Sequence, residues 1–470
     1  MPLLGIELSD AGIMAAGGEP AHLLAVEGGE KESPGFALSH KDHLIIGKDA
    51  QNKARLNPRL YTNHFWDALN TEPLKQPGLE GKNHGELAYF HLAKIWDTIK
   101  RHGDELVMSV PGFFTHQQLS LLLGIANELS LPLKGFATTA LAALSQPYPE
   151  YLLFHLDIHL HRVEITFLEQ DNHLLQRDTK TLPGKGLTYL SAEWVKAIAD
   201  EFVRTTRFDP FDQALYEQEL YLRLPQVLRE LQTDSSTTFA MKPGSQTYSV
   251  TLNYDLFAKT SGAVFREAAH LIREMAEQSG NPALPLLLAV THRINPLPGY
   301  REELEKIPSA QIVELEPGSG ALGVLTLKDR FSAHTANHGV SLLTSRPWKE
   351  TRPAQESTTP PADRDMAGPT HILYGNRAYP LSPKPLTIGQ GASDDISIRI
   401  NDQAAGISPK HCTLQLRGND VMLVNHSTGG TLLDGTTVSE TAVVKIGQTI
   451  RIGTPEEELR LITCVRTDET

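Results

Sequence analysis

The sequence predicts an α/β body followed by a small all-β module. Three observations carry this expectation. Helical apolar spacing alternates with short apolar runs through residues 1–331. Residues 369–470 instead hold short strand-like runs separated by Gly, Asn, Asp and Pro turns. Between them, TSRPWKETRPAQESTTPPADRDMAGP is rich in Pro, Thr and charge and lacks apolar periodicity. Such a stretch buries too little surface to offset its ordering entropy, so residues 332–368 read as a flexible linker. Its basic residues Arg346, Lys349, Arg352 and Arg364 read as exposed.

Taken in order, GIELSDAGIMAA and HLLAVEG read as strand, turn and strand. In GELAYFHLAKIWDTIKR, the residues Leu87, Phe90, Leu92, Ile95 and Ile99 recur near a 3.6 period, which predicts a helix. ELVMSVP is a strand, and THQQLSLLLGIANELSL is a helix with Thr115 as N-cap. YLLFHLDI and RVEITFLEQ are strands. LTYLSAEWVKAIADEFVRTT, LYLRLPQVLRELQT and SGAVFREAAHLIREMAEQ are helices, and PLLLAV is a buried strand. In the tail, LTIGQ, ISIRI, HCTLQLR, VMLVNHS, TLLDGTTV and QTIRIG predict a β-sandwich.

Composition narrows the function classes. The 470 residues carry 43 Lys and Arg against 56 Asp and Glu, a net charge of −13 with no basic block, which argues against a nucleic-acid partner. The two cysteines, Cys412 and Cys464, form neither a disulfide framework nor a zinc pattern. The start has no basic n-region and carries Glu7 and Asp10 within its apolar stretch, so no signal peptide is expected. No apolar run approaches the ~20 residues of a membrane helix. The expected setting is the cytoplasm.

The segment order resembles the nucleotide-binding domain of heat-shock-70 chaperones, a two-lobed actin-like ATPase fold. LIIGKDAQNKARLNPRL, LVMSVPGFFTHQQLSLLLGIANELSLPLKGFATTALAAL and LPLLLAVTHRINPLPGYREEL are similar to three of its conserved stretches. The resemblance covers residues 3–327, and the family's peptide-binding domain has no counterpart. It implies ATP held between two lobes, its phosphates wrapped by two glycine-bearing hairpin turns and Mg²⁺ held by carboxylates.

The matching positions are altered. Where the family has Asp-Leu-Gly-Thr-Thr, this chain has Glu7-Leu8-Ser9-Asp10-Ala11. A carboxylate remains at Glu7, but Ser9 replaces the glycine and Asp10 places a repelling anion near the phosphate. In place of Asp-Leu-Gly-Gly-Gly-Thr-Phe-Asp stands Asp157-Ile158-His159-Leu160-His161-Arg162-Val163-Glu164. Asp157 and Glu164 keep carboxylates, while large residues replace all three glycines and should fill the phosphate space. Ala289 and Val290 stand for the adenosine Gly-Gly, and Ala137 for the glutamate that positions water. Gln226, Arg229 and Thr233 match the family's adenine-side Glu, Lys and Ser. Hydrogen bonds to charged groups contribute ~1.5–3 kcal/mol each, so these losses weaken nucleotide binding by orders of magnitude. As a plainer alternative, Glu7, Asp10 and Glu164 are solvated lips of an empty cleft.

His155, Asp157, His159 and His161 share parity, and one extended strand would align them as zinc ligands. The resemblance bends the chain after Asp157, so a ligand-free turn and no metal are expected.

The tail resembles a forkhead-associated (FHA) domain, a β-sandwich that reads phosphothreonine through loops at one end. The matching run begins LTIGQGASDDISIRI and continues through ISPKHCTLQLR and NHSTGGTLLDG to IGQTIRIG. The resemblance implies phosphate contact at Ser408 and peptide contact at Thr428. It places Gln390, after Gly389, where the family's arginine clamps phosphate, and Gly429 where an asparagine grips the peptide. A glutamine cannot supply that bidentate charged clamp. Pro409 follows Ser408 and adds no donor. His411 matches the histidine that props the loop, and Asp434-Gly435 the closing Asn-Gly. The same loop residues would also brace the fold without any ligand.

Two altered sites point to a non-catalytic interaction or scaffold protein, a pseudo-ATPase whose partners are other proteins, phosphorylated ones included, with no cofactor. Two other readings stay open. In one, Glu7, Asp157 and Glu164 hold Mg-ATP in a divergent chaperone or nucleotide switch, with ATP hydrolysis as its activity. In the other, the tail is a phosphothreonine-dependent adaptor.

Overall fold

The computed structural model describes residues 2–40, 43–170, 173–332, 341–347, 371–374, 377–391, 397–400, 406–417, 420–427, 430–445, 448–453 and 457–462. The chain forms two compact units, Met1–Glu350 and Thr351–Thr470.

The first unit is built on two sheets. One contains β1 (Leu3–Glu7), β2 (Ile13–Gly17), β3 (His22–Leu24), β4 (Glu105–Val110) and β5 (Leu133–Thr138). The other contains β6 (Leu152–Ile158), β7 (Arg162–Gln170), β8 (His173–Pro183), β9 (Leu286–Val290) and β10 (Ala310–Glu314). The order β3-β2-β1-β4-β5 in the first matches β8-β7-β6-β9-β10 in the second. In both, the first strand runs antiparallel into a hairpin and parallel beside two crossover strands. Parallel neighbours are covered on both faces, which explains why β9 reads LLLAV and is buried throughout.

The crossovers are helical, as parallel pairing requires. α1 (His84–Ile99) starts at a capping box in which Asn83 and Glu86 bond each other's backbone N–H. α2 (His116–Glu128) does the same with Thr115 and Gln118. Leu87, Leu92, Ile95 and Ile99 face the core, but Phe90 is exposed, contrary to the periodicity reading. It lies about 140° around the helix from Ile95, beneath the Lys82 ammonium. The second sheet is covered by α3 (Leu187–Thr206), α4 (Ala214–Thr233) and α5 (Tyr254–Glu277). A short helix, α6 (Ser319–Leu325), follows β10 and packs on β1.

The linker reading needs correction. Within residues 332–368, β11 (Ser341–Leu343) adds parallel to β5, and β12 (Ser345–Pro347) adds antiparallel to β8. One seven-residue segment thus extends an edge of each sheet. Leu342 packs into the first sheet's core and Leu343 into the layer behind it. Main-chain pairing holds this segment, and three-residue strands leave almost no hydrophobic period to read. Arg346 is buried, not exposed. Lys349, Arg352 and Arg364 lie outside the described residues.

The second unit is a β-sandwich. One sheet runs β14 (Arg377–Pro380), β13 (His371–Tyr374), β23 (Glu457–Ile462), β22 (Thr449–Ile452), β19 (Thr431–Leu433) and β20 (Thr436–Val438). The other runs β16 (Ser397–Arg399), β15 (Leu386–Gly389), β17 (Cys412–Arg417), β18 (Asp420–Asn425) and β21 (Thr441–Val444). Alternate residues from both sheets, such as Ile388, Leu414, Leu423, Ile452 and Leu461, fill the core. Asp434 and Gly435 both have positive φ, which makes the tight hairpin between β19 and β20. Among the described residues, no helix is long and apolar enough to cross a membrane.

Candidate functional site

The carboxylates singled out in the body meet between the two sheets, and they are not solvated. Glu7 (2% exposed), Asp10 (4%), Asp157 (2%) and Glu164 (1%) are buried, which corrects the solvated-lip reading. Glu7 ends β1, Asp10 lies in the β1–β2 turn, Asp157 is near the end of β6, and Glu164 faces it across the hairpin on β7.

Two cations, neither anticipated from the sequence, organise them. Arg293, just after β9, places Nη1 2.9 Å from Glu7 Oε1 and 3.6 Å from Asp157 Oδ2. Its Nε donates to Glu32 Oε1 at 3.0 Å and its Nη2 to Gly12 O at 2.8 Å. His159, in the turn after β6, is the second. Its Nδ1 lies 3.1 Å from Ser9 Oγ and 3.5 Å from Asp10 Oδ1, and its Nε2 lies 3.4 Å from Glu164 Oε2. Burial opposes the imidazolium, but Asp157, Asp10 and Glu164 outweigh it and push the pKa up to about 10. Burial likewise opposes the Asp157 carboxylate. Arg293, His159 and the Thr291 hydroxyl hold its pKa far below the ordinary carboxylate value.

Backbone donors complete the cluster. Glu7 Oε2 accepts from the N–H groups of Gly320 and Ala321 at the start of α6, at 2.9 and 3.2 Å. A Cβ on Gly320 would sit 2.6 Å from that oxygen, so only glycine permits the approach. Leu160 N–H donates to Asp10 Oδ1 at 2.8 Å, and Gly112 N–H to Glu164 Oε1 at 3.1 Å. The narrow space between the turns, lined by Leu8, Ser9, Asp10, Phe113 and His159, has no room for a water-sized sphere.

The histidine row disperses. His155 is fully buried on β6 and kept neutral by burial, with neither ring nitrogen hydrogen-bonded. His161 stacks on His64 with ring centres 3.6 Å apart and bonds Asn63 O. Among the described residues, no three His, Cys, Asp or Glu side chains group as a metal site.

Gln226, Arg229 and Thr233 lie on the exposed side of α4. Gln226 bonds Glu230 Oε1, and Thr233 bonds Glu230 O. None of the three hydrogen-bonds Glu7, Asp157 or Glu164.

In the second unit, the end of β15 meets the loop before β17. Gln390 N–H donates to Ser408 O at 3.3 Å and Gly391 N–H to Pro409 O at 3.1 Å. A Cβ on Gly389 would lie 2.3 Å from Pro409 O, so close backbone approach demands glycine there. His411 is buried. Its Nδ1 accepts the Ser408 N–H at 3.2 Å, which leaves Nε2 protonated to donate to Gly430 O at 3.1 Å. Burial lowers its pKa and favours this neutral tautomer. One ring thereby couples the Ser408 loop to the Gly430 loop. Asn425, which the sequence reading passed over, anchors the second loop by accepting from Ser427 N–H and Thr431 Oγ1. Thr428 and Gly429 lie outside the described residues.

The FHA domain family model matches residues 386–453, within the second unit alone. No curated protein matches the chain. Both the matched run and the sandwich around the His411-braced loops lead to one conclusion: residues 386–453 form an FHA domain.

Proposed function

We propose that the chain is a non-catalytic protein-interaction protein. Its FHA domain engages protein partners through the loop end braced by His411, and its body is a heat-shock-70-like, actin-like ATPase fold whose nucleotide cleft is closed by its own side chains. The repeated strand order of the two sheets supports the fold reading. The observation that carries the function is Arg293: its guanidinium bonds Glu7 and Glu32 and lies 3.6 Å from Asp157, so a cation of the chain itself occupies the matched carboxylates in place of Mg-nucleotide. The test is calorimetric titration of the full chain with Mg-ATP together with phosphate release. The expected result is no binding heat and a release rate equal to that of Asp157→Ala. Turnover clearly above that control refutes the reading.

The retained Ser408, His411 and Gly430 arrangement favours a second reading, recognition of phosphothreonine. Fluorescence anisotropy with phosphothreonine peptides and their unphosphorylated copies separates the two. With Gln390 in the clamp position, the wild type should show little phosphate preference. Gln390→Arg should raise phosphopeptide affinity about ten-fold, through one charge-assisted bond. Micromolar, phosphate-dependent binding by the wild type would establish the phosphothreonine reading instead.

A further inference from the structure

The His411 ring fits its two loops in one protonation state only. Its Nδ1 accepts the Ser408 N–H at 3.2 Å, and its Nε2 donates to Gly430 O at 3.1 Å. A neutral imidazole offers one acceptor and one donor, and these two bonds use both. An imidazolium has no acceptor left. A proton on Nδ1 would set N–H against N–H at the Ser408 contact. The bond from Nε2 to Gly430 O would survive and gain charge assistance. Acid therefore attacks one of the ring's two attachments and spares the other.

The surroundings of the ring keep it neutral. His411 is fully buried, and burial lowers its pKa below the ordinary 6.5 against the pull of the Gly430 carbonyl. The basic groups around it are Lys410, the preceding residue, and His426, whose N–H donates to His411 O at 2.9 Å. Glu440, whose carbonyl accepts the Asn425 N–H at 2.8 Å, has an exposed side chain. Among the described residues, no carboxylate bonds the ring to hold a proton on Nδ1.

The two loops differ in their other ties. For the first, Gln390 N–H reaches Ser408 O at 3.3 Å and Gly391 N–H reaches Pro409 O at 3.1 Å, both at the long end of hydrogen bonding. Pro409 has no N–H to add. The second loop is better held. Gly430 N–H bonds Ser427 Oγ at 3.1 Å, and Asn425 Oδ1 accepts from Ser427 N–H at 3.0 Å and Thr431 Oγ1 at 2.9 Å.

We propose that His411 is a proton-operated latch, whose protonation releases the Ser408 loop and leaves the Gly430 loop in place, so that acid loosens one half of the FHA loop end. Because the fold lowers the pKa of the ring, the latch is closed above pH 6.5 and opens progressively below it, as the released ring takes up the proton more readily. The latch regulates the end through which the domain is read as engaging its partners, and its purpose rests on that reading. Its opening is measured without any partner, so either can fail alone.

The experiment is NMR on the full chain, following the His411 ring nitrogens and amide exchange from about pH 7.5 to about pH 5, corrected for the intrinsic pH dependence of exchange. As the ring takes up its proton, Ser408 should lose about ten-fold in protection, the factor that one hydrogen bond supplies. Gly430 should keep its protection, and so should Leu414 and Leu423 in the sandwich core. His411→Gln offers an acceptor and a donor that do not titrate, so Ser408 should then exchange alike at every pH. If that amide fails to reach both loops, the wild type still decides, because ring protonation and Ser408 exchange must share one midpoint below 6.5. A protonated ring with Ser408 protection unchanged overturns the proposal. So does a ring that stays neutral throughout, or loss of protection at Ser408, Gly430, Leu414 and Leu423 together, which is unfolding of the whole domain.

Discussion

Arg293 Nη1 lies 2.9 Å from Glu7 Oε1, a contact made across 286 residues of chain. It joins the end of β1 to the segment that leaves β9, and so ties one sheet to the other. Glu7 also receives the first N–H groups of α6, so three elements converge on one carboxylate.

Breaking a buried pair of this kind leaves a charge without compensation. Arg293→Met should therefore destabilise the protein by about 3–5 kcal/mol in urea unfolding. Glu7→Gln should cost less, about 1–3 kcal/mol, because an amide can still accept from Gly320 and Ala321. The double variant should lose less than the two singles together, since the second change removes a partner already deserted. Strict additivity would show that the contact carries no coupling.

Much of this arrangement was legible in the residues, though unevenly. Glu7, Asp157 and Glu164 were identifiable by their places at two matched turns, and the structure gathers them. Their cations were not, because a buried Arg or His leaves no periodic signature. A signal for one was present: Asp10 and His159 replace residues in turns that face each other, and their charges are opposite. Arg293 stood in plain view within THRINP, but only its salt bridges distinguish it from an exposed arginine. Gln226, Arg229 and Thr233 had the right chemistry on a helix whose contacts lie elsewhere. In the FHA domain, Gly389, Ser408 and His411 were readable because backbone approach and a two-nitrogen bridge demand those residue types. The two short strands in 341–347 are held by main-chain bonds, which any residue but proline can donate.

The buried histidines predict a stability maximum near pH 6.5. His159 has an ordinary pKa of 6.5 that rises to about 10 in the folded protein. Its stabilisation is fully present below pH 6.5 and is lost as pH climbs toward 10, because the folded state then holds the extra proton. His91 is pushed down to about 3 by burial, and burial lowers His155 as well. For these the unfolded chain takes up protons first, so stability falls as pH drops below 6.5. Asp157 and Asp10, both lowered in the fold, add to the acid limb below their ordinary 3.8. Melting temperatures from pH 4 to 10 should trace this dome. His159→Gln should lower the maximum and flatten the alkaline limb selectively. An alkaline limb unchanged in that variant would assign the slope to another group.

In the FHA domain, His411 holds two loops with one ring, and its removal should be felt in both. His411→Ala leaves the Ser408 N–H and the Gly430 carbonyl without their partner, a loss of about 1–3 kcal/mol. His411→Asn separates the roles. A shorter amide can satisfy one loop but cannot span to the other, so it should recover only part of the loss. Amide hydrogen exchange is the decisive readout. In His411→Ala, exchange should quicken at Ser408 and at Gly430, whose own N–H bonds Ser427 Oγ, while Leu414 and Leu423 in the sandwich core keep their protection. Faster exchange at Ser408 alone would mean that the loops are braced independently and that the ring does not couple them.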